Sequence, residues 1–350
     1  MDLTESQGHS VDSCSASRPH SCRQQWATPI TSRARYSDRM LISADVIDVL
    51  DPMPGLVFAD GTGGRLSFAL WRDGAVRLLD DRLTENSQRE FPMEGDVCVL
   101  AASSLDLLIL ASAGGLVIAG EEVVTVPGMP ADAAALLGGL VVVAVPDGER
   151  HRLLVLDSGT GAILDDQAID ADGARAFLHP HPADDTAILE LAMGQDGVLA
   201  FRVDVEGSRL HLTEILAGDD PVIAGFSPSG ARLLVTPYSD PQTVRMLSWP
   251  DLKEISRLDA SDVDAEYGFG LAGCWINDDR AAVYATEDAL IVADENLDSS
   301  ERIALPIDFG DEGEIEKLTH LGSGNVAVGV WTPAGRLTLI VRLSEGLGCG

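Results

Sequence analysis

A chain of 350 residues with 45% apolar residues is long enough for one large or two ordinary domains and too hydrophobic to be disordered throughout. Its net charge of −32 and pI near 4.3 repel phosphate backbones, which argues against nucleic acid as a partner. No stretch approaches the ~18 unbroken apolar residues of a membrane-spanning helix, which argues against a membrane partner. The N-terminus lacks the charged-then-apolar pattern of a secretion signal, which predicts a cytoplasmic protein.

Residues 1–39 are rich in Ser, Arg, Gln and His and carry almost no apolar periodicity. They read as a disordered tail or a non-native extension, with Met40 as a candidate start. Cys14, Cys22, His9 and His20 lie in this tail, but their spacing fits no paired zinc-ligand pattern. The five cysteines are odd in number and not closely spaced, so they form no disulfide framework and suit a reducing compartment. Cys98 and Cys274 fall in apolar strands and are expected to act as small core residues.

From Met40 onward the chain is short apolar runs broken by Gly, Asp, Pro and Ser, with no helical periodicity over three turns. Asp exceeds Glu by about two to one, as turn-rich structure favours. The runs fall into groups of about 40 to 45 residues, each with up to four strands, which is the period of a propeller blade. The first group is Leu56–Asp60, Leu66–Trp71 and Ala75–Leu79, with Asp73-Gly74 as a hairpin turn. The third is Ala133–Leu137, Leu140–Val145, Leu153–Leu156 and Ala162–Leu164. The fourth runs from Ala174 to Thr213, the fifth from Val222 to Leu258 and the sixth from Gly270 to Leu305. The last offers only Ile315–Thr319, Asn325–Trp331 and Arg336–Leu343 before a Gly-rich end at Gly346 to Gly350. Residues 41–50 alternate and have no partner in the first group. The economical solution is that they complete the last blade and close the ring. The expected fold is an all-β, seven-bladed β-propeller of four-stranded antiparallel sheets spanning 40–350, with six or eight blades as the other counts.

The segments LLVLDSGTGAIL (Leu153 to Leu164), FSPSGARLLV (Phe226 to Val235) and TVRMLSWPDLKEISRL (Thr243 to Leu258) resemble the third-strand and turn segments of WD40-type and related bacterial seven-bladed propellers. The resemblance covers roughly residues 41 to 344. Within residues 41 to 344 the Gly-His and Trp-Asp dipeptides of that family are absent, and Ser248-Trp249-Pro250-Asp251 is the nearest approach to the second. The resemblance implies a propeller architecture whose blades rely on apolar packing instead of those polar groups.

The chemistry-bearing candidates are few. His179-Pro180-His181-Pro182-Ala183-Asp184-Asp185 has the residue types of a metal site, yet His181 takes the slot that Ser227 and His320 hold in other blades, as a blade turn would. Asp294 to Asp298 begins like a calcium loop but lacks its Gly and terminal Glu, and Asp259 to Glu266 and Asp308 to Glu316 show no ligand spacing. Asp60 to Gly64 is glycine-rich without the Lys-Ser/Thr of a phosphate loop. Trp71, Trp249, Trp275 and Trp331 are expected to pack between blades, unless one is a binding anchor on a face. No catalytic, cofactor or metal residue is assigned. The favoured function is a non-catalytic protein-interaction platform, a monomeric propeller whose partner is another protein. The alternative is a propeller enzyme, such as a lactonase-like hydrolase or quinone-dependent dehydrogenase, acting at the channel mouth. If the acidity is a salt adaptation, the melting temperature rises steeply with added KCl because screening relieves self-repulsion. A flat response in a thermal melt would contradict that origin.

Overall fold

The structure is a computed structural model. It describes residues 42–343, apart from 54–55, 60–65, 92, 94–95, 113, 195–196, 218–220, 239, 287–288, 299, 308 and 310–312. The tail with its Cys and His candidates, the Asp60 to Gly64 loop and the Gly-rich C-terminus lie outside the described residues.

Seven sheets follow one another along the chain. Blade 1 contains β3 (Val57–Ala59), β4 (Ser67–Arg72), β5 (Ala75–Leu79) and β6 (Glu85–Glu90). Blade 2 contains β7 (Cys98–Ser104), β8 (Leu107–Ser112), β9 (Gly115–Ala119) and β10 (Val123–Pro127). Blade 3 is β11 (Ala133–Leu137), β12 (Leu140–Asp147), β13 (Arg150–Leu156) and β14 (Ile163–Asp170). Blade 4 is β15 (Arg175–Pro180), β16 (Thr186–Ala192), β17 (Val198–Glu206) and β18 (Arg209–Ala217). Blade 5 is β19 (Pro221–Phe226), β20 (Arg232–Pro237), β21 (Thr243–Ser248) and β22 (Glu254–Asp259). Blade 6 is β23 (Phe269–Asn277), β24 (Arg280–Ala285), β25 (Ala289–Asp294) and β26 (Ser300–Ala304). Blade 7 is β27 (Glu314–Gly322), β28 (Asn325–Thr332) and β29 (Gly335–Arg342), completed by β2 (Asp45–Leu50). The expected blade number and the closure by an N-terminal strand are both observed.

Closure has more detail than the sequence suggests. Residues 42–50 are not one strand. β1 (Ile42–Ser43) adds in parallel to the outer edge of β26, so blade 6 has five strands. After Ala44, whose N–H donates to Ala304 O at 2.9 Å, the chain passes to blade 7. There β2 pairs antiparallel with β29, from Asp45 opposite Arg342 to Leu50 opposite Thr338, with a bulge between Val46 and Asp48. One short segment thus ties two neighbouring blades together.

The ring is closed by packing as well as pairing. The buried apolar residues form seven clusters, and each fills one seam between adjacent blades. The closing seam holds Leu321, Ala327 and Ile340 of blade 7 against Leu56, Phe68, Leu70 and Leu79 of blade 1. Lys317 Nζ also donates to Leu56 O across this seam, at 2.8 Å. Strand β12 shows why the runs are unbroken. Val141, Val143 and Val145 face blade 2, while Val142 and Ala144 face blade 4. Both faces of a middle strand are buried, so the two-residue alternation vanishes and only a continuous apolar run is left.

The outer strands correct the sequence reading. ENSQRE, which is β6, holds no apolar residue and was not expected as a strand. β14 extends to Asp170 and β18 to Ala217, well beyond Leu164 and Thr213. An outermost strand packs little of its surface, so its sequence carries no hydrophobic signal. Cys98 is a further correction, because it is exposed. Cys274 is buried as expected, and burial pushes its thiol up to about 12.

Candidate functional site

In an up-and-down blade, alternate turns fall on opposite ends of the sheet. The second-to-third turns and the blade-to-blade connections share one end, here called the front. The first-to-second and third-to-fourth turns share the other, the back. Each first strand lines the central channel.

At the back, first-to-second turns are hydrogen-bonded from blade to blade. The N–H of Gly138 in blade 3 donates to Asp185 Oδ1 in blade 4 at 2.8 Å. The N–H of Ser229 in blade 5 donates to Asp278 Oδ1 in blade 6, also at 2.8 Å. Hydrogen bonds from Ser229 hold the Asp278 carboxyl below its usual range. Between them His181 joins blade 4 to blade 5. Its Nδ1 accepts the N–H groups of Ala183 and Asp184 at 3.2 and 2.9 Å, so Nε2 carries the proton and donates to Gly230 O at 3.1 Å. The ring is buried, edge-on to Phe226 at 4.9 Å between centroids and stacked near Trp249 at 6.2 Å, with the Arg202 guanidinium 5.5 Å from the Trp249 ring. The HPHPADD cluster therefore faces both neighbours. Asp185 turns back to blade 3 and His181 forward to blade 5.

His179 takes a different path. Its Nε2 lies 2.9 Å from Glu190 Oε2, which also accepts the N–H of Ile223 in blade 5 at 3.2 Å. Glu190 is buried. A buried carboxylate needs such partners, and the bond from Ile223 crosses the seam whose buried apolar cluster is the smallest of the seven. His179 and His181 do not converge on one point. An enzyme at the channel mouth would need polar groups gathered there. His179 and Glu190 are instead engaged with each other and with the seam to blade 5.

The acidic loops are engaged by bases of neighbouring strands: Arg232 donates to Glu295 O at 3.1 Å and Arg302 to Asp264 O at 2.7 Å. Asp294 Oδ1 accepts the N–H groups of Asn296 and Asp298 at 3.1 and 3.0 Å, closing its own turn. Among the described residues, no group of three or more His, Cys, Asp or Glu side chains is placed to hold a metal ion. No helix among them is long and apolar enough to cross a membrane. Of the tryptophans, Trp275 is buried in the seam between blades 5 and 6 and donates Nε1–H to Gly225 O at 3.1 Å. Trp71 packs in the seam between blades 1 and 2, 6.4 Å from Phe91. Trp331 is partly buried opposite Arg336 and Glu314.

A group of exposed large side chains that the sequence did not single out lies at the front of blades 5 and 6. Tyr238, Tyr267 and Leu271 are 43, 59 and 48% exposed. Tyr238 follows β20 directly, and Thr236 at the end of that strand donates its hydroxyl to Leu271 O at 2.8 Å. Tyr267 ends the connection between the blades. That connection starts with a 3-10 turn, Ala260–Val263, and drives Ala260, Val263 and Ala265 into the core. The N–H of Ala260 donates to Gln242 O and that of Phe269 to Pro241 O, both at 2.7 Å. Gly268, with φ +85°, is the pivot, because a Cβ there would overlap Pro241. The second-to-third turn of blade 5, with Tyr238, and the entry to blade 6, with Tyr267 and Leu271, thus form a front platform of exposed large side chains on adjacent blades. The acidic run Asp259 to Glu266, screened above for calcium, is the framework of this platform.

No family model matches the chain and no curated protein matches it. Solved structures do. The β-propeller domain of Cps50 (Swd1) from Myceliophteria thermophila is similar at a TM-score of 0.57 and 12% identity, over 86% of this chain and 100% of that one. The C-terminal WD40 domain of Sif2 is similar at a TM-score of 0.52 and 12% identity, over 87% and 100%. The WD40 propeller domain of Doa1 is similar at 0.52 and 11% identity, over 87% and 98%. At such identities the likeness is one of fold: the chain is a seven-bladed propeller similar in architecture to WD40 propeller domains, and residues 41 to 344 lack the Gly-His and Trp-Asp dipeptides.

Proposed function

We propose that the protein is a non-catalytic interaction platform whose partner is another protein, docked at the front of blades 5 and 6. The observation that carries this reading is the exposure of Tyr238, Tyr267 and Leu271 at the front of adjacent blades, with the connection that bears Tyr267 fixed by hydrogen bonds and core packing. Large side chains held rigid in water are the anchors that interfaces use, since little conformational entropy is lost when they are covered. The WD40 architecture of the three similar structures is consistent with a scaffold role.

The test is affinity purification from the native host with two double variants. Tyr238→Ala with Tyr267→Ala is expected to reduce the co-purifying protein at least about tenfold. Ile163→Ala with Leu164→Ala, exposed on the outer strand of blade 3, is expected to retain it. Equal recovery with both variants, or no recovery with the unaltered protein, would contradict the proposal.

A further inference from the structure

We infer that the front half of the central channel binds a small apolar acid, with its carboxylate held by Lys317. The inference concerns the channel and not the platform of blades 5 and 6, so each stands or falls without the other.

The acidity of the chain stops at the innermost strands. The whole chain has 56 Asp and Glu against 24 Lys and Arg. Strands β3, β7, β11, β19 and β23 nonetheless carry no Asp, Glu, Lys or Arg. On the other two these types are Arg175 of β15 and Glu314, Glu316 and Lys317 of β27. Glu316 is held by Arg336 of β29 through both carboxylate oxygens. Burial, and then the neighbouring Glu316, push the Glu314 carboxyl up. Lys317 is exposed to solvent, yet desolvation by the surrounding protein pushes its ammonium down. On an innermost strand that combination places Nζ in the channel. Nζ has three protons to donate, and one goes to Leu56 O at 2.8 Å. Among the described residues no carboxylate pairs with it. A desolvated ammonium without a counter-charge is costly, and a ligand carboxylate removes that cost. The apolar part of the site is aromatic. Phe58 of blade 1 and Phe177 of blade 4 are 53 and 37% exposed, although the faces of their blades are packed against neighbours. They present ring surface to the channel from opposite sides of the ring. Phe58, Phe177 and Lys317 sit opposite Phe68, Glu190 and Gly329, two to four residues below the front ends of those strands at Arg72, Ala192 and Thr332. One ammonium and two rings therefore share a similar level of the lumen. The Arg175 guanidinium, 5.2 Å from the centroid of the Phe177 ring, adds a second positive group nearer the front. A cation would be repelled by both bases, and a neutral apolar molecule would leave the ammonium unpaired. A small acid with an aromatic or aliphatic body satisfies the charge and the rings together.

The experiment uses the full chain with its lysines labelled with carbon-13 at Cε. Lys253 and Lys317 are the only lysines, so the NMR spectrum holds one signal for each, and Lys253→Arg assigns them. Titration with hydrocinnamate moves the Lys317 signal to saturation and leaves that of Lys253 in place. Hydrocinnamamide, the same body without the charge, binds at least about tenfold more weakly, and phenylpropylamine leaves the Lys317 signal where it was. Phe177→Ala weakens the binding of hydrocinnamate about three- to tenfold. Saturation transfer to the ligand's own protons extends the test to variants at the lysine. Lys317→Met loses the preference for the acid over the amide, and Lys317→Arg keeps it. A Lys317 signal that stays in place with hydrocinnamate in large excess, or that moves equally with acid and amide, would overturn the inference. Parallel movement of both lysine signals, which marks ionic attraction without a site, would overturn it too.

Discussion

Deleting residues 42–50 is expected to lower stability by about 5 kcal/mol, while deleting 1–39 changes it by less than about 1 kcal/mol. The first segment supplies the fourth strand of blade 7 and the fifth of blade 6. Its loss exposes the outer edge of β29 and strips Ala44, Val46 and Leu50 from the apolar seams at either side of blade 7. Each lost main-chain bond is worth about 1 kcal/mol net, and the three side chains add a comparable amount. The described apolar clusters contain no residue before Ala44. Urea titration of both deletions measures the difference. Equal losses would show that the ring is not held shut by this segment.

The second large effect is at the seam of blades 4 and 5. Gly230→Ala is expected to cost about 4 kcal/mol, because φ is +77° and the new Cβ would overlap the His181 ring. His181→Ala is expected to cost about 3 kcal/mol, since it leaves Gly230 O and two amides without their partner and empties a site beside Phe226 and Trp249. The two changes are strongly coupled. Once the ring is gone, Gly230→Ala costs only the left-handed backbone penalty of about 1 kcal/mol, so the double variant loses about 4 kcal/mol rather than 7. Additivity within about 0.5 kcal/mol would mean that His181 and Gly230 do not act as one joint.

How much of this was legible in the sequence depends on where each residue sits in a blade. Middle strands such as LVVVAV (Leu140 to Val145) announce themselves because both faces are buried. Outer strands such as ENSQRE (Glu85 to Glu90) are silent because almost all of their surface meets water. The closing strand was readable by elimination, but its split into β1 and β2 was not. Two residues paired in parallel leave no pattern. His181 was readable as a blade turn from its place in the series with Ser227 and His320. Its reach to Gly230, 49 positions away, belongs to the ring geometry. The front platform was hidden for the same reason. Asp259 to Glu266 invites a search for metal ligands, and Tyr238 and Tyr267 are 29 positions apart until the blade connection folds back on Pro241 and Gln242. A signal was present all the same. Of only four tyrosines in the chain, these two fall in acidic turns and not in strands.

Native-state amide hydrogen exchange tests the closed ring most directly. A closed ring predicts that the amides of Asp45–Leu50 paired with β29 exchange as slowly as those of Leu337 to Val341, and that middle strands β4 and β28, on the two sides of the closing seam, open only with the whole molecule. Early exchange of blade 1 or blade 7 ahead of the other five would show an open stack with two free ends, and would contradict the account.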